Sequence, residues 1–463
     1  MKKQTLLILG ATGDLTARLL LPGLGALVAS GGGEQLLLVG SAEASLDDDR
    51  WRQRVADAFA AADARGTQAD AVVRGARYLE ADVTVEADLR RLLDACQGRV
   101  AIFFALPPAV TLRACQALAG IELPEHTRLV LEKPFGTDAA SAAALNDLLA
   151  RLVPEDQVYR VDHYLGMSTV LNIVGLRFAN RMLESVLNGE HVDSIDIVFD
   201  ETLALEGRAG YYDRAGALVD MIQSHSLQVL ALLAMDAPST LQARDVRDAT
   251  TAVLRATRVW GDDPAAWSRR ARYTAGEIDG RALPSYVDEE GVDPDRNTET
   301  LAEVVLAVNT WRWAGVPFRV RAGKALRGLR KEAVITFKQP PWVPVGLAGY
   351  DRPDRLRIGF DPDWLRLDVN INGPGDPSVV DPLTLEAGLD PGDLPPYGQV
   401  LRGVFEGDPT LSVRGDTAVE CWRIVEPVLS AWRDDRVPLR EYPAGSAVSD
   451  AAIPVPPAPW SSR

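Results

Sequence analysis

Cysteine is scarce. Cys96, Cys115 and Cys421 are the only three in 463 residues, too few and too scattered for a disulfide framework or a zinc site, so no metal is expected and the thiols read as reduced and buried in a cytoplasmic protein. Basic charge is also short: 49 Lys and Arg against 65 Asp and Glu leave a formal charge of −16. Nothing gathers Lys and Arg into a stripe, which excludes a nucleic-acid backbone binder, and an acidic surface mainly favours solubility. Long apolar runs are missing. None approaches the ~20 unbroken residues of a membrane span, and the start, Met1-Lys2-Lys3 followed by Leu6 to Leu9, meets Gly10 and Asp14 before a signal-peptide core is complete. Histidine is limited to four residues, and two of them, His163 and His225, fall in polar-rich segments.

What is present begins with length, which exceeds one ordinary core and suggests two or three domains. Thr5 to Leu9 is a continuous aliphatic run, as in a strand buried on both faces of a parallel sheet. It ends in Gly10-Ala11-Thr12-Gly13-Asp14-Leu15, followed by a helix-like segment. A strand, a glycine turn and a helix N-terminus together make an anion site, because backbone N–H groups and the helix dipole face a pyrophosphate. One glycine of the G-x-G-x-x-G fingerprint is absent, so by itself the turn reads equally as a tight turn or a nucleotide site. Further strand signals at Gln35 to Val39, Arg77 to Ala81, Val100 to Leu106, Arg128 to Leu131 and Val158 to Val161 alternate with helical stretches. That alternation is the doubly wound pattern of an α/β domain, here a Rossmann-like one. Glu43 falls just past the second strand, where an acid accepts from ribose hydroxyls and repels a 2′-phosphate; it points to NAD over NADP.

Two later segments carry chemistry-bearing residues. Arg128 to Leu131 runs into Glu132-Lys133-Pro134-Phe135-Gly136, which places Lys133 at the carboxyl end of a parallel strand, and Pro134 is a site for unusual peptide geometry. Val158 to Val161 delivers Asp162, His163 and Tyr164 to the same edge. An Asp-His pair after a strand either satisfies local backbone groups or does proton chemistry. Downstream, Glu206 to Asp213 leads into Gly216 to His225 on an apolar helix. A histidine there is either a satisfied core residue or, paired with a carboxylate that fixes its tautomer, a general base.

With Trp311 to Phe318, Arg321 to Lys324 and Tyr442 to Ser446 added in order, these segments resemble the glucose-6-phosphate dehydrogenase family over nearly the whole chain. The resemblance implies a hexose 1-dehydrogenase acting on glucose 6-phosphate, with NAD or NADP as cofactor. It implies His225 as the base on the C1 hydroxyl and Asp162 as its orienting acid. It further implies Lys133, Glu206, Asp220 and Lys324 on sugar hydroxyls, His163 and Tyr164 at the 6-phosphate, and Leu106, in the Ala105-Leu106-Pro107 turn, near the nicotinamide. Gly10, Thr12, Gly13, Asp14, Leu15, Glu43 and Lys133 would meet the cofactor. Residues 1–162 are then expected to bind the dinucleotide. Residues 163–463 are expected to form an α+β substrate-binding and dimerisation domain on a mainly antiparallel sheet, with strands at Val192 to Asp200, Thr300 to Val308, Phe318 to Arg321, Ala333 to Phe337, Leu356 to Phe360 and Trp364 to Asn370. A homodimer or homotetramer is implied, and Ile453 to Trp460 reads as an irregular tail.

Three positions depart from the family pattern. Family members carry arginine where this chain has Glu43, and lysines where it has Leu19 and Met167. The arginine grips the 2′-phosphate of NADP and the lysines serve the sugar phosphate. Arg177, Arg181 and Arg330 are the candidates to compensate. Two alternatives follow: a dehydrogenase of an unphosphorylated or differently substituted aldohexose, and a non-catalytic nucleotide-binding paralogue.

Overall fold

The computed structural model describes residues 3–447 apart from Glu34, Tyr350, Pro374 and Pro391; the expected tail at Ile453 to Trp460 lies outside them. The chain forms two compact units, each discontinuous in sequence. The first gathers Met1–Met167, Pro238–Asp248 and Gly392–Glu420; the second holds Ser168–Ala237, Ala249–Pro391 and the chain from Cys421.

In the first unit, strands β1 (Gln4–Leu9), β2 (Leu36–Ala42), β3 (Arg77–Glu80), β4 (Arg99–Phe104), β5 (Arg128–Glu132) and β6 (Val158–Val161) lie in the order β6-β5-β4-β1-β2-β3. All six pair in parallel. This is the doubly wound order, with its switch point beside β1, and such sheets bind ligands beyond the carboxyl ends of their strands there. The aliphatic runs explain the burial: Leu6, Ile8, Leu9, Ile102, Phe103, Phe104, Leu129 and Val130 are almost wholly enclosed, since helices cover both faces.

One helix comes from far downstream. Pro396–Glu406 packs Tyr397, Val400, Leu401 and Val404 into the same core as Leu21, Leu24 and Leu27. Gly23 permits this approach, for a Cβ there would lie 2.8 Å from Tyr397 Cβ. The Arg128 guanidinium donates to the carbonyls of Val404 and Phe405 at 2.5 and 3.1 Å, closing the C-terminal end of that helix. A two-residue strand, Ser412–Val413, then pairs antiparallel with β6.

The second unit is built on a large, mainly antiparallel sheet. Its path runs Val380–Gly388, Asp363–Asn372, Arg355–Phe360, Arg330–Phe337, Val192–Asp200, Pro317–Gly323, Leu301–Val308, Ser268–Thr274 and Leu439–Pro443. Pro317–Gly323 pairs in parallel with Val192–Asp200, and Leu439–Pro443 with Ser268–Thr274. The six expected strands are present. Ser268–Thr274, Val380–Gly388 and Leu439–Pro443 carried no expectation. One helical stretch, Ala209–Ala234, is apolar and long enough to cross a membrane by length and composition, yet it is mostly buried inside the protein, as a core helix is.

Candidate active site

At the end of β1 the chain turns at Gly10, whose φ is +89°. The Gly10 and Ala11 amides donate to the Ser41 carbonyl of β2 at 2.8 and 2.9 Å, and the Gly13 amide donates back to Gly10 at 3.1 Å. A Cβ on Gly10 would sit 2.1 Å from the Ala105 carbonyl oxygen and 3.1 Å from Leu106 Cδ2. The turn is thereby pressed against the end of β4, where Leu106 stands. The Thr16 hydroxyl donates to the Gly10 carbonyl at 3.1 Å, locking the first helical turn beneath it. Asp14 and Leu15 begin that helix, so its first amides have no intrahelical acceptor and Gly13 leaves their approach open. The residues present therefore fit a dinucleotide pyrophosphate. Glu43 is exposed just beyond β2.

The helix does not continue regularly. Thr16–Leu20 is π-wound, with the Leu21 amide reaching Thr16 five residues back. Such turns recur at functional sites. Leu19 lies on this stretch and is 48% exposed, and Arg18 beside it is exposed as well.

At the carboxyl end of β5, Lys133 precedes Pro134 through a cis peptide bond. Its neighbour Glu132 has a buried carboxyl close to the Tyr397 hydroxyl. Burial pushes this acid up to about 8, against the pull of Tyr397 and Lys133, and Asp162 adds to the rise. Glu132 is thus mostly neutral at pH 7. Tyr397 is pushed up too, by burial first and then by Glu132.

The next strand, β6, ends in Asp162, whose carboxylate accepts the Tyr164 amide at 3.1 Å and so opens a tight turn over His163–Gly166. Gly166 allows the turn to touch the downstream segment, since a Cβ there would lie 2.7 Å from the Pro396 carbonyl. His163 is flanked by Tyr164, centroids 4.9 Å apart, and stacks on Tyr397 at 6.0 Å with 14° between the planes. Met167 follows, half-buried. The first unit thus brings Lys133, Asp162, His163 and Tyr164 to one sheet edge, and it adds Glu132 and Tyr397. Nothing near Tyr397 in the sequence marks it: it comes from a segment more than two hundred residues away.

In the second unit, Asp220 and His225 stand on Leu218–Ser226, a second π-wound turn in which the Leu227 amide reaches Ile222. In an α-helix five residues turn about 500°, leaving side chains about 140° apart; the wider π turn brings Asp220 and His225 closer to one face. His225 is buried. Lys324 is buried as well, directly after the strand Pro317–Gly323, its Nζ 2.8 Å from Glu201 Oε2 and 5.2 Å from the centre of the Tyr212 ring. Burial works to raise Glu201, but Lys324 and Lys331 outweigh it and hold the carboxylate below its ordinary range, with Asp220 opposing them. Asp220, Glu201, Lys324 and Tyr212 therefore form one polar neighbourhood. Glu201, which directly follows Val192–Asp200, was not expected there.

Glu206 is exposed, and Lys324, after Arg281, is among the charges that lower its carboxyl. It adopts φ +51° and its carboxylate is held by Arg281 at 2.5 Å on the hairpin Gly276–Leu283. Arg330 donates to Glu332 at 2.5 Å, and Arg357 holds the other oxygen of Glu332 at 3.0 Å. Arg177 is buried, paired with Glu184 at 3.0 Å and donating to the carbonyls of Leu232 and Met235. Arg181 is exposed on the short helix Arg181–Glu184.

A doubly wound sheet with a glycine turn at its switch point, joined to a sheet domain bearing a histidine, carboxylates and a lysine, defines a nicotinamide-dependent oxidoreductase. The family description "Glucose-6-phosphate dehydrogenase, NAD binding domain" matches residues 7–172, and "Glucose-6-phosphate dehydrogenase, C-terminal domain" matches residues 174–455. The chain belongs to the glucose-6-phosphate dehydrogenase family. It is 39% identical to glucose-6-phosphate 1-dehydrogenase of Gluconobacter oxydans over 95% of this chain and 93% of that one. It is 33% identical to the Bacillus subtilis enzyme over 96% and 94%. Among solved structures, glucose-6-phosphate 1-dehydrogenase from Mycobacterium avium superposes with a TM-score of 0.84 at 31% identity, covering 96% of this chain and 94% of that one. A glucose-6-phosphate dehydrogenase in complex with glucose 6-phosphate gives a TM-score of 0.84 at 27% identity, covering 98% and 97%.

Proposed function

We propose that this enzyme oxidises the C1 hydroxyl of glucose 6-phosphate to the 1,5-lactone and prefers NAD. Residues 1–162 serve the dinucleotide, and 163–463 serve the sugar and the dimer contact. His225 takes the hydroxyl proton and Asp162 fixes its tautomer, the pairing that makes an imidazole a general base. A nicotinamide dinucleotide held at the Gly10–Leu15 turn and Glu43 would supply the hydride acceptor as the C1 hydroxyl becomes the lactone carbonyl. Lys133, Glu206, Asp220 and Lys324 hold sugar hydroxyls, His163 and Tyr164 face the phosphate, and Arg330 is a further substrate-binding residue. The observation that carries the reading is the retention, in family order, of Asp162 to Gly166 and Asp220 to His225 on buried, locally braced turns.

Glu43 supports the NAD preference: an exposed carboxylate past β2 accepts from ribose hydroxyls and repels a 2′-phosphate. A homodimer is supported by the outermost strands of the second sheet, which leave Ile371, Leu383 and Leu385 exposed. Sedimentation as a monomer at micromolar concentration would remove that part. The second reading, an unphosphorylated aldohexose, rests on Leu19 and Met167. Steady-state rates with glucose and glucose 6-phosphate, each with NAD and NADP, decide between them. The expected result is the highest kcat/KM for glucose 6-phosphate with NAD. A higher value for glucose would favour the second reading, and a large preference for NADP would overturn the role of Glu43.

A further inference from the structure

The helix that carries Asp220 and His225 starts under a carboxylate that no proposed step uses. The chain breaks at Gly216, with φ 66° and ψ 176°, before the π-wound turn begins at Leu218. Glu299, just ahead of the strand Leu301–Val308, reaches this point from another part of the sequence. Its backbone carbonyl accepts the Ala217 amide at 3.2 Å, and its carboxylate Oε1 accepts the Leu218 amide at 3.0 Å. A Cβ on Gly216 would lie 2.3 Å from Oε1 and 2.6 Å from Oε2 of Glu299. Glycine at 216 is thus the condition for the carboxylate to occupy this place.

We propose that Glu299 is a positioning residue for proton transfer: it anchors the first amides of Leu218–Ser226 and so sets where Asp220 and His225 stand. A helix start leaves amides without acceptors and favours negative charge, and a buried start without either would shift or fray. The anchor matters more here because π-winding is not the default and is held only where its surroundings impose it. The inference rests on His225 being the base.

The anchor also titrates. Burial pushes Glu299 up to about 7, opposed by the amides of Leu218, Ala217 and Glu299 itself and by Arg270. Tyr212 and Tyr286 face it as well, each raised in part by its charge. The anion is the better acceptor for the helix amides, so the anchor weakens as pH falls through neutrality.

The test is kcat and KM for glucose 6-phosphate from pH 6 to 9, with dinucleotide Kd, for Glu299→Gln, Glu299→Ala and Gly216→Ala. Glu299→Gln keeps an acceptor oxygen without the titration. It is expected to retain kcat within about threefold at pH 8 and to show a displaced acidic limb. Glu299→Ala and Gly216→Ala should lose on the order of ten- to a hundredfold in kcat, with the dinucleotide Kd unchanged. Parent-like kcat in Glu299→Ala, or an equal loss of kcat and dinucleotide affinity that Gln does not rescue, would overturn the proposal. Should Glu299→Ala fail to fold, the Gln variant decides: an acidic limb identical to the parent's removes Glu299 from the reaction. His225→Ala separates the two readings, since parent-like turnover there sinks the base assignment whatever Glu299 does. An inactive His225→Ala beside a fully active Glu299→Ala sinks the anchor alone.

Discussion

Replacing Gly10 by alanine tests the glycine turn most directly. The backbone there has φ +89°, which costs an L-residue roughly 1–2 kcal/mol. The new methyl would also lie 2.1 Å from the Ala105 carbonyl oxygen and 2.9 Å from its carbon, about an ångström inside ordinary contact. Ala105 cannot simply retreat, because its amide donates to Leu9 at 2.9 Å in the ladder between β1 and β4. Overpacking of this kind costs roughly 1–3 kcal/mol, so the total is about 2–5 kcal/mol. In a unit of this size that lowers Tm by about 5–15 °C. Displacing the turn also misplaces the pyrophosphate amides, for an expected loss on the order of a hundredfold in dinucleotide affinity. For stability alone, Gly13→Ala is the internal control: its Cβ would meet only the Gly10 carbonyl, at 3.3 Å, for about 1 kcal/mol or less, although a methyl there also narrows the pyrophosphate's approach. Calorimetry with a fluorescence titration of NAD measures both quantities. Equal, small losses of Tm in the two variants would refute the account of the turn.

Glu43→Arg removes a repulsion and adds a charged donor, each worth roughly 1.5–3 kcal/mol toward a 2′-phosphate. The ratio of kcat/KM for NADP over NAD should rise about a hundredfold or more; an unchanged ratio would detach Glu43 from the cofactor. Glu132→Gln addresses the buried acid. Its folded pKa of about 8 lies above the ordinary carboxyl value, so the folded state binds more protons than the unfolded one and stability falls as pH rises from about 4.5 to 8. The glutamine variant should therefore lose less Tm than the parent between pH 5 and pH 8. A parallel decline would show that Glu132 ionises normally.

The first unit was largely legible because strands buried on both faces must be aliphatic, and β1 through β6 are. Gly10 and Gly13 stood out for a related reason: only glycine serves where two backbones meet this closely. Tyr397, Glu201 and Glu299 were not legible. Each matters through a contact made across the fold, and no local pattern marks a tyrosine that will stack on a histidine more than two hundred residues away. The π-winding at Thr16–Leu20 and Leu218–Ser226 was equally hidden, since the one extra residue per turn leaves an apolar pattern that reads as an ordinary helix. Glu206 was legible as a motif residue but not in its contacts. Its position in the motif points to the sugar, and the fold adds a partner, Arg281, that no local pattern marks.

The phosphate end is where sequence and structure together press hardest. Two lysines of the family pattern are absent at Leu19 and Met167, and a charged hydrogen bond contributes roughly 1.5–3 kcal/mol. Of the arginines that could replace them, Arg177 has its guanidinium enclosed between Glu184 and two carbonyls. Arg330 keeps a partly exposed guanidinium, but Glu332, Asp200 and Asp196 surround it, so a phosphate there would compete with three carboxylates. On the proposed reading His163, tilted against Tyr164 and stacked on Tyr397, is the phosphate donor of the first unit. Loss of contacts to a group remote from C1 weakens ground and transition states alike, which raises KM and leaves kcat alone. Met167→Lys should accordingly lower KM for glucose 6-phosphate by about tenfold to a hundredfold with kcat and the KM for glucose unchanged. If the variant instead leaves the KM for glucose 6-phosphate where it was, Met167 does not face the phosphate, and the sugar's far end is read by other groups.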